Sequence, residues 1–209
     1  TRSGARCYLC VHGGILCPLI LGSASTHLLT GIGGLHGRPL KKGDRLEIKA
    51  LPQAHALQQK QASPSVVTML NEQRPLRVTI GPQAAYFSQE AQTLLFSSAF
   101  SVSEESNRMG LRLTGPALQR TMRTEMLTEG VSLGAIQVPQ DGWPIILFVE
   151  HQTTGGYPKI ANVVSADFHR VGQLRPRDEV RFELVTFERA AALYREQEEL
   201  IGPHSLTPV

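Results

Sequence analysis

A polar loop with a glycine pair follows the most hydrophobic run of the chain. It reads "EHQTTGGYPKI" and comes directly after "WPIILFV". Gln152, Thr153 and Thr154 offer neutral donors and acceptors, while Gly155 and Gly156 let backbone N–H groups approach a ligand closely. Such groups match the edge of a small planar amide, for example a lactam or a ureido ring. A hairpin turn whose glycines supply positive φ explains the same residues equally well, so both interpretations stay open.

Three more side chains flank this loop and complete a possible binding site. Lys159 is suited to balance an anionic group of a ligand, and Tyr157 is expected to close over the bound molecule. The carboxylate of Glu150 lies at the start of the loop. The adjacent His151 is expected to be a surface residue, because a lone histidine beside a strand end more often is.

A second polar constellation lies in "SEESNRMGLRLTG". Asn107, Arg108 and Arg112 stand at a junction between a loop and a strand, and a guanidinium is well shaped for bidentate contact with a carboxylate. Strand alternation along "MGLRLTG" directs Arg112 away from the apolar side. The competing interpretation is an exposed ion pair between an arginine and one of the two glutamates of the same loop.

A third candidate is Gln137, in the strand-like run "GAIQVP". It lies between two apolar residues and therefore on the other face from them, where a covered amide needs a hydrogen-bond partner. The resulting hypothesis is a polar pocket at the mouth of a barrel, lined by residues 152–156 and faced by Asn107, Arg108 and Gln137.

Composition excludes several classes of function. The 209 residues are 41% hydrophobic and 19% charged, with a net charge of only +3 from scattered basic residues, which argues against nucleic-acid binding. Apolar runs are too short for a membrane span, and the odd number of cysteines argues against a secreted disulfide framework, so we expect a cytoplasmic protein. Cys7, Cys10 and Cys17 lack a second CxxC or a suitably spaced histidine pair, so no metal site is expected. The motifs GxxxxGK[ST], GxSxG and HExxH are missing, so no ATP site or hydrolytic nucleophile is assigned to this chain.

The secondary-structure pattern is mainly β. Short β-branched runs separated by turn residues predict a barrel or a sandwich. Two stretches predict helices, "SQEAQTLLF" and "FERAAALYREQEELIG", and the latter has an apolar face at Phe187, Ala191 and Tyr194. The predicted strands are "PLRVTIG", "AFSVS", "LRLTG", "GAIQVP", "WPIILFVE", "YPKIANVV" and "DEVRFELV".

The chain divides into two regions joined by a linker. The Gln-, Ala-, Ser- and Pro-rich stretch predicts a linker over residues 53–75, and "ARCYLCVHGGI" predicts a strand that needs sheet partners upstream. The segments "GRPLKKGDRLEI" and "GQLRPRDEVRFEL" share the order Gly, Leu, basic residue and Asp before an alternating strand. This similarity predicts that they close two related barrels, a partial one over residues 1–52 and a complete one, with a C-terminal helix, over residues 76–209.

Several collinear motifs carry a family resemblance. They are "RCYLCVHGGI", "GGLHGRPLKKGDRL", "GPQ", "VSEESNRMGLRLTGP", "TEGVSLGAIQVPQDGWPI" and "QTTGGYPKIANVVSAD". Together they closely resemble the family of the 5-oxoprolinase C-subunit, of KipA type, which is also called allophanate hydrolase subunit 2 or biotin-dependent carboxyltransferase. Two positions depart from its pattern. Glu150 stands where the family usually has Asp, and Arg177 stands where Gly is common. Because a carboxylate is retained, the resemblance implies that Glu150 is the candidate catalytic residue, as a base or as an orienting group.

The resemblance implies a fold, a function and partners. The fold would be a pair of cyclophilin-like β-barrels. The function would be that of one component of an ATP-dependent 5-oxoprolinase, inactive alone, which forms L-glutamate from 5-oxo-L-proline together with a KipI-type partner and a LamB/YcsF-type partner. The alternatives are biotin-dependent carboxyl transfer to a urea-type substrate and a non-catalytic KipA-like module that binds a KipI-like partner.

Overall fold

The backbone separates into two units. The structure is a computed structural model that describes residues 4–49, 59–121, 126–202 and 205–208. One unit comprises residues 7–59, and the other comprises residues 1–6 together with residues 60–209. Within the described ranges, no helix combines the length and apolarity that crossing a bilayer would require.

The smaller unit is held by turns and single bridges rather than by strands. In its described part, residues 7–49, Ile15 pairs with Ile48, Ile20 with Ser23, and His27 with Ile32, each as an isolated bridge. The strand predicted for "ARCYLCVHGGI" is therefore wrong. Its residues are mostly solvent-exposed, and the hydrogen bonds that join Gly14 and Leu16 to residues 47–49 are too few to make a ladder. Cys7 and Cys10 are exposed thiols.

The larger unit contains the regular secondary structure of the described chain. Its helices are α1 (Pro64–Asn71), α2 (Gln89–Ser97), α3 (Phe168–Val171) and α4 (Phe187–Leu200), with 3₁₀ turns at Ala84–Tyr86 and Ser165–Asp167. Its strands are β1 (Lys60–Ala62), β2 (Leu76–Ile80), β3 (Phe100–Val102), β4 (Gly110–Thr114), β5 (Glu129–Gly130), β6 (Ala135–Gln137), β7 (Ile145–Leu147), β8 (Thr154–Gly155), β9 (Lys159–Val163), β10 (Glu179–Val180), β11 (Phe182–Leu184) and β12 (Leu206–Pro208).

Eight of these strands form a nearly closed barrel. Their order is β10-β3-β4-β7-β6-β9-β2-β11. The two outer strands, β10 and β11, are separated in sequence by Arg181 alone, so residues 179–184 pair with β3 on one side and with β2 on the other. One continuous segment thus connects both edges of the sheet, which leaves little strand edge exposed. The mainly β prediction and all seven predicted strand segments are confirmed.

The barrel encloses a single large apolar core. Val78, Ile136, Ile146 and Ile160 come from four different strands and have no solvent-exposed surface. Helix α2 covers one side of this core with Leu95. Its N-cap is Ser88, whose hydroxyl accepts a hydrogen bond from a backbone N–H of the first turn.

Part of the predicted linker is folded. Residues 60–62 form β1, which pairs with β12, and residues 64–71 form α1. Ser63 caps this helix and Pro64 occupies its first position, where proline's lack of an N–H costs nothing. Val66 is buried. The prediction of a linker over residues 53–75 is therefore wrong for residues 60–71. Residues 53–58 of the predicted linker lie outside the described residues.

Helix α4 forms where predicted but buries a different face. Thr186 caps it, and Leu193 is its buried residue, packing with Val164 and Ala166. Phe187 and Tyr194, placed on the apolar face in the sequence analysis, are 64% and 45% exposed. The correction follows from tertiary packing, because the 3₁₀ turn Ser165–Asp167 meets the side of the helix that carries Ala190, Leu193 and Gln197.

A buried ionic cluster fixes β2 to the turn before α3. The Asp167 carboxylate accepts hydrogen bonds from the backbone N–H of Arg77 at 2.8 Å and from its guanidinium. Arg170 and Arg74 lie 3.4 and 3.7 Å from the same carboxylate. Burial alone would raise the pKa of Asp167, but the hydrogen bonds and charges of the arginines outweigh burial and lower it.

The two similar sequence segments adopt the same turn. The carboxylate of Asp44 accepts a hydrogen bond from the N–H of Lys41 at 2.7 Å, and that of Asp178 accepts one from the N–H of Arg175 at 2.8 Å. The residue before each aspartate has positive φ, 95° at Gly43 and 72° at Arg177. The turn therefore repeats, with a glycine at one site and an arginine at the other. The closing strand predicted after each turn forms only after Asp178, because residues 45–49 make a single bridge at Ile48 rather than a ladder.

This difference leads to a stability prediction for Arg177. A residue with a side chain is strained at φ 72°, whereas glycine adopts this conformation freely. Arg177→Gly should therefore raise the free energy of unfolding by about 1 kcal/mol. The lost ion pair with Glu104 is exposed and contributes little. Urea denaturation of Arg177→Gly and Arg177→Ala tests the reason, since only the glycine variant relieves the backbone. An equal gain in both variants would contradict it.

Candidate functional site

The polar loop after β7 meets the barrel at Gln137. This residue is 1% exposed, and its Nε2 donates to the carbonyl of Tyr157 at 3.2 Å. Its Oε1 accepts from Nε2 of Gln152 at 3.5 Å, near the limit of a hydrogen bond. The requirement of a partner for a covered Gln137 is confirmed, and the loop itself supplies that partner.

Gly155 makes this approach possible. A Cβ at this position would lie 2.8 Å from Nε2 of Gln137, closer than real side chains come, although its φ is not positive. The glycine therefore gives room to the Gln137 amide, which a Cβ would displace, rather than supplying turn geometry. Gly156 has more room, since its nearest neighbour would be the carbonyl oxygen of Met126 at 3.5 Å.

The loop is carried by a small ladder of its own. Strand β8 pairs with β5, Thr154 opposite Gly130 and Gly155 opposite Glu129. The N–H of Val131 donates to the carbonyl of Thr153 at 3.0 Å and extends the pairing. The β5–β8 ladder is a sheet separate from the barrel. Thr153, Thr154 and Tyr157 are exposed, so their hydroxyls are accessible.

A buried lysine lies at the start of β9, opposite Gln137 in the barrel. The side chain of Lys159 is 7% exposed, and its ammonium bonds to the carboxylate of Glu129 on β5, whose side chain is 45% exposed. Gln83 connects the two. Its Nε2 donates to Glu129 at 2.7 Å, while its Oε1 accepts from the backbone N–H of Lys159 at 3.1 Å. The hydrogen bond from Lys159 lowers the pKa of Glu129.

These polar groups border an open cleft. Its volume is about 550 Å³, within the range of small-molecule sites. The lining combines the charged pair with small polar and apolar groups, namely Pro82, Gln83, Glu129, Gly130, Val131, Ser132, Lys159 and Asn162. A fixed ammonium, two carboxamides and one hydroxyl can bind a small ligand that carries an anionic group and an amide.

The second predicted group lies elsewhere on the barrel. Arg108 forms an ion pair with Glu150 at 2.9 Å, and its carbonyl accepts the N–H of Glu150. Arg108 and Glu150 lie at the end of β7 that finishes at Leu147, where Gly110 is its partner. Gln137 pairs with Ile145, at the opposite end of β7. The single pocket expected from the sequence therefore separates into two groups of residues.

The other two residues of that group have local surroundings. The Oδ1 of Asn107 accepts the N–H groups of Met109 and Gly110 at 2.8 and 3.3 Å, which makes it a turn residue. Arg112 is exposed on β4, as strand alternation predicted. The competing interpretation paired an arginine of this loop with Glu104 or Glu105. Glu104 pairs instead with Arg177, 73 residues away in sequence, and Arg108 pairs with Glu150.

Sequence reasoning missed four residues of the cleft. Gln83, Glu129, Ser132 and Asn162 all line it. Their motifs, "GPQ", "TEGVSL" and "YPKIANVV", carried the resemblance, but no spacing rule indicates that they converge. Gly81 is a sequence feature that could have indicated this convergence. A Cβ there would lie 2.6 Å from the backbone of Ile160, so a glycine at this position lets the segment that carries Gln83 come close to β9.

Comparison with known proteins places the chain in a family. The family model described as carboxyltransferase domain, subdomain A and B, matches residues 1–184. The chain belongs to this carboxyltransferase domain family. Among curated members, the 5-oxoprolinase C-subunit of Escherichia coli is 39% identical over 94% of the chain and 62% of its own length. The chain thus spans less than two thirds of that relative.

Other members of the carboxyltransferase domain family are much longer proteins. Urea amidolyase of Saccharomyces cerevisiae is 32% identical over 95% of the chain, which corresponds to 12% of the relative. The crystal structure of urea amidolyase from Kluyveromyces lactis superposes with a TM-score of 0.79 at 30% identity, over 96% of the chain and 13% of that protein. The predicted family and barrel fold are confirmed.

Proposed function

We propose that this chain supplies a small-molecule site to an ATP-dependent 5-oxoprolinase, which opens 5-oxo-L-proline to L-glutamate. The observation that carries the proposal is a buried ammonium, that of Lys159, beside carboxamides in a cleft of about 550 Å³. A lactam that bears a carboxylate has the complementary groups. Relatives from two bacteria, 39% and 38% identical and both named as the C-subunit of 5-oxoprolinase, support the same activity.

The residues in and around the cleft have distinct roles in this proposal. Lys159 binds the carboxylate of the substrate, and Gln152 hydrogen-bonds the lactam edge with Gln137 holding its amide in place. The exposed hydroxyls of Thr153 and Thr154 lie on the same ladder and add donors. Barrel walls behind the cleft keep water away and strengthen these hydrogen bonds. Glu150, ion-paired with Arg108, stays the candidate catalytic carboxylate at the other end of β7.

In this proposal the opening of 5-oxo-L-proline requires other protein chains. A KipI-type partner and a LamB/YcsF-type partner complete a cytoplasmic hetero-oligomer, and ATP is assigned to that assembly rather than to residues of this chain. The bacterial relatives are named as subunits, which supports an assembly. The chain alone is accordingly expected to be inactive.

Carboxyl transfer is the second candidate function. The family description and the likeness to urea amidolyase, with a TM-score of 0.79, favour it. The amide pair of Gln137 and Gln152 offers both a donor and an acceptor, so these residues would hold the ureido ring of biotin. Biotin would then supply the carboxyl group for a urea-type acceptor.

One assay separates the two functions. The chain is combined with the candidate KipI-type and LamB/YcsF-type partners, and ATP hydrolysis is measured with 5-oxo-L-proline, with urea and without substrate, each with and without bicarbonate, a biotin carboxylase and a biotinylated carrier that supply carboxybiotin. Stimulation by 5-oxo-L-proline and formation of L-glutamate are expected only in the complete mixture. Stimulation by urea alone would favour carboxyl transfer, and activity of the chain by itself would contradict the assembly.

The amide of Gln152 gives a prediction for this assay. We expect Gln152→Ala to lower activity of the complete mixture at least tenfold, because the lactam edge loses its partner and buried polar groups of the ligand go unpaired at about 1–3 kcal/mol each. Thermal unfolding should stay nearly unchanged, since Gln152 is exposed and its bond to Gln137 is long. A large loss of stability with normal activity per folded molecule would instead identify a structural hairpin.

A further inference from the structure

The ion pair between Lys159 and Glu129 is unequally buried. The lysine side chain is 7% exposed and belongs to a barrel strand, whereas the glutamate side chain is 45% exposed on a two-residue strand. In an ion pair whose two partners are both buried, removing either partner leaves a buried charge. Here only the ammonium is buried, because a released Glu129 carboxylate regains its hydration.

Glu129 can also leave without disturbing the barrel. Its strand, β5, pairs with β8 and not with any of the eight barrel strands. Among the described residues, the side chain of Glu129 is held by Lys159 and by Nε2 of Gln83. Lys159, in contrast, is fixed by the β9 ladder and by two hydrogen bonds of its backbone: its N–H donates to Oε1 of Gln83, and its carbonyl accepts the N–H of Gln83.

The ammonium has capacity for a ligand. An ammonium has three donors, and among the described residues Glu129 is its hydrogen-bond partner. The cleft beside it continues past Ser132 and Asn162, which offer a hydroxyl and a carboxamide to a small molecule seated there. A fixed cation next to neutral polar groups favours a ligand with one carboxylate and one amide.

We propose that Glu129 is an internal stand-in for the carboxylate of the substrate, which replaces it on Lys159 when the substrate binds. This inference rests on the proposed function and adds the determinant of substrate class. Because 5-oxo-L-proline has a carboxylate and urea has none, the exchange at Lys159 selects the lactam acid over urea-type substrates. Release of Glu129 removes the side-chain contacts that join β5 to Lys159 and Gln83, while the backbone pairing of β5 with β8 stays intact.

Calorimetric titration of the full 209-residue chain tests the exchange. The probes are 5-oxo-L-proline, 2-pyrrolidinone, which is the same lactam without the carboxylate, and acetate. The chain should bind 5-oxo-L-proline at least tenfold more tightly than 2-pyrrolidinone. Lys159→Met should remove that preference and leave the affinity for 2-pyrrolidinone unchanged.

Glu129→Gln gives an expectation of opposite sign. Its carboxamide keeps a hydrogen bond to Gln83 but no longer competes for Lys159, so the affinity for 5-oxo-L-proline should rise about threefold to tenfold. This variant decides the question even if Lys159→Met does not fold. Glu104→Gln, which removes the carboxylate of an exposed ion pair with Arg177, is the matched control and should bind like the unaltered chain.

The results separate the exchange from the proposed function. Weaker binding of 5-oxo-L-proline to Glu129→Gln, an unchanged preference in Lys159→Met, or no carboxylate binding at all would each overturn the exchange. Binding of acetate that depends on Lys159, without binding of either lactam, would support the exchange and count against 5-oxo-L-proline as the substrate.

Discussion

Replacement of Asp167 by asparagine is expected to lower the free energy of unfolding at pH 7 by about 3 kcal/mol or more. Asparagine keeps the shape of the side chain and removes its charge. The guanidinium of Arg77 would then be buried without an anionic partner, and Arg170 and Arg74 would repel it uncompensated. Breaking a buried pair from one side typically costs about 3–5 kcal/mol. Urea denaturation at pH 7 measures the loss.

The pH dependence of this loss in stability tests whether the charge of Asp167 causes it. The pKa of Asp167 is lowered in the fold, so its contribution to stability is fully present above the ordinary value of 3.8 and is lost as the pH falls through the folded pKa. The difference in free energy of unfolding between the unaltered chain and Asp167→Asn should therefore be constant near neutral pH and become smaller in acid. Asp141→Asn is the control, because its exposed Oδ1 accepts the N–H of Trp143 and an amide oxygen replaces it. Equal losses in both variants would refute the role of buried charge.

Gly81→Ala should be nearly as damaging, for a steric reason. The N–H of Gly81 donates to the carbonyl of Ile160 at 2.9 Å, and an added Cβ would lie 2.6 Å from the carbonyl carbon of Ile160 and 2.7 Å from the nitrogen of Ala161. Both atoms belong to the backbone of β9, a barrel strand that cannot shift cheaply. We expect a loss of about 2–3 kcal/mol in the free energy of unfolding.

The same substitution should weaken the candidate site. Displacement of Gly81 moves Gln83 away from Lys159 and Glu129, so affinity for 5-oxo-L-proline should fall together with stability. Gly130→Ala is the matched control for unfolding, since a Cβ there would meet no atom within 4 Å. If both variants unfold at the same urea concentration, the close approach of Gly81 to β9 does not limit stability.

Much of the barrel was determined by the sequence itself. Alternating β-branched runs and turn residues located its predicted strands, because a strand with one buried face must repeat its apolar residues every second position. Ser88 and Thr186, which cap α2 and α4, marked the starts of two helices through local hydrogen bonds. The repeated Asp turn at Asp44 and Asp178 was also readable, since each aspartate bonds to a backbone group only three residues away.

Tertiary structure alone decided which polar residues meet. Gln137 and Gln152, 15 residues apart, came together as the sequence suggested, whereas Lys159 meets Glu129 and Gln83 across 30 and 76 residues. Arg108, which was expected to face the same pocket as Gln137, pairs with Glu150 at the far end of β7. These contacts depend on which strands and loops become neighbours in the fold, and no short local pattern shows that segments so far apart in the sequence will meet. For the same reason the buried face of α4 is that of Leu193, because the surface packed against a helix selects the side it covers.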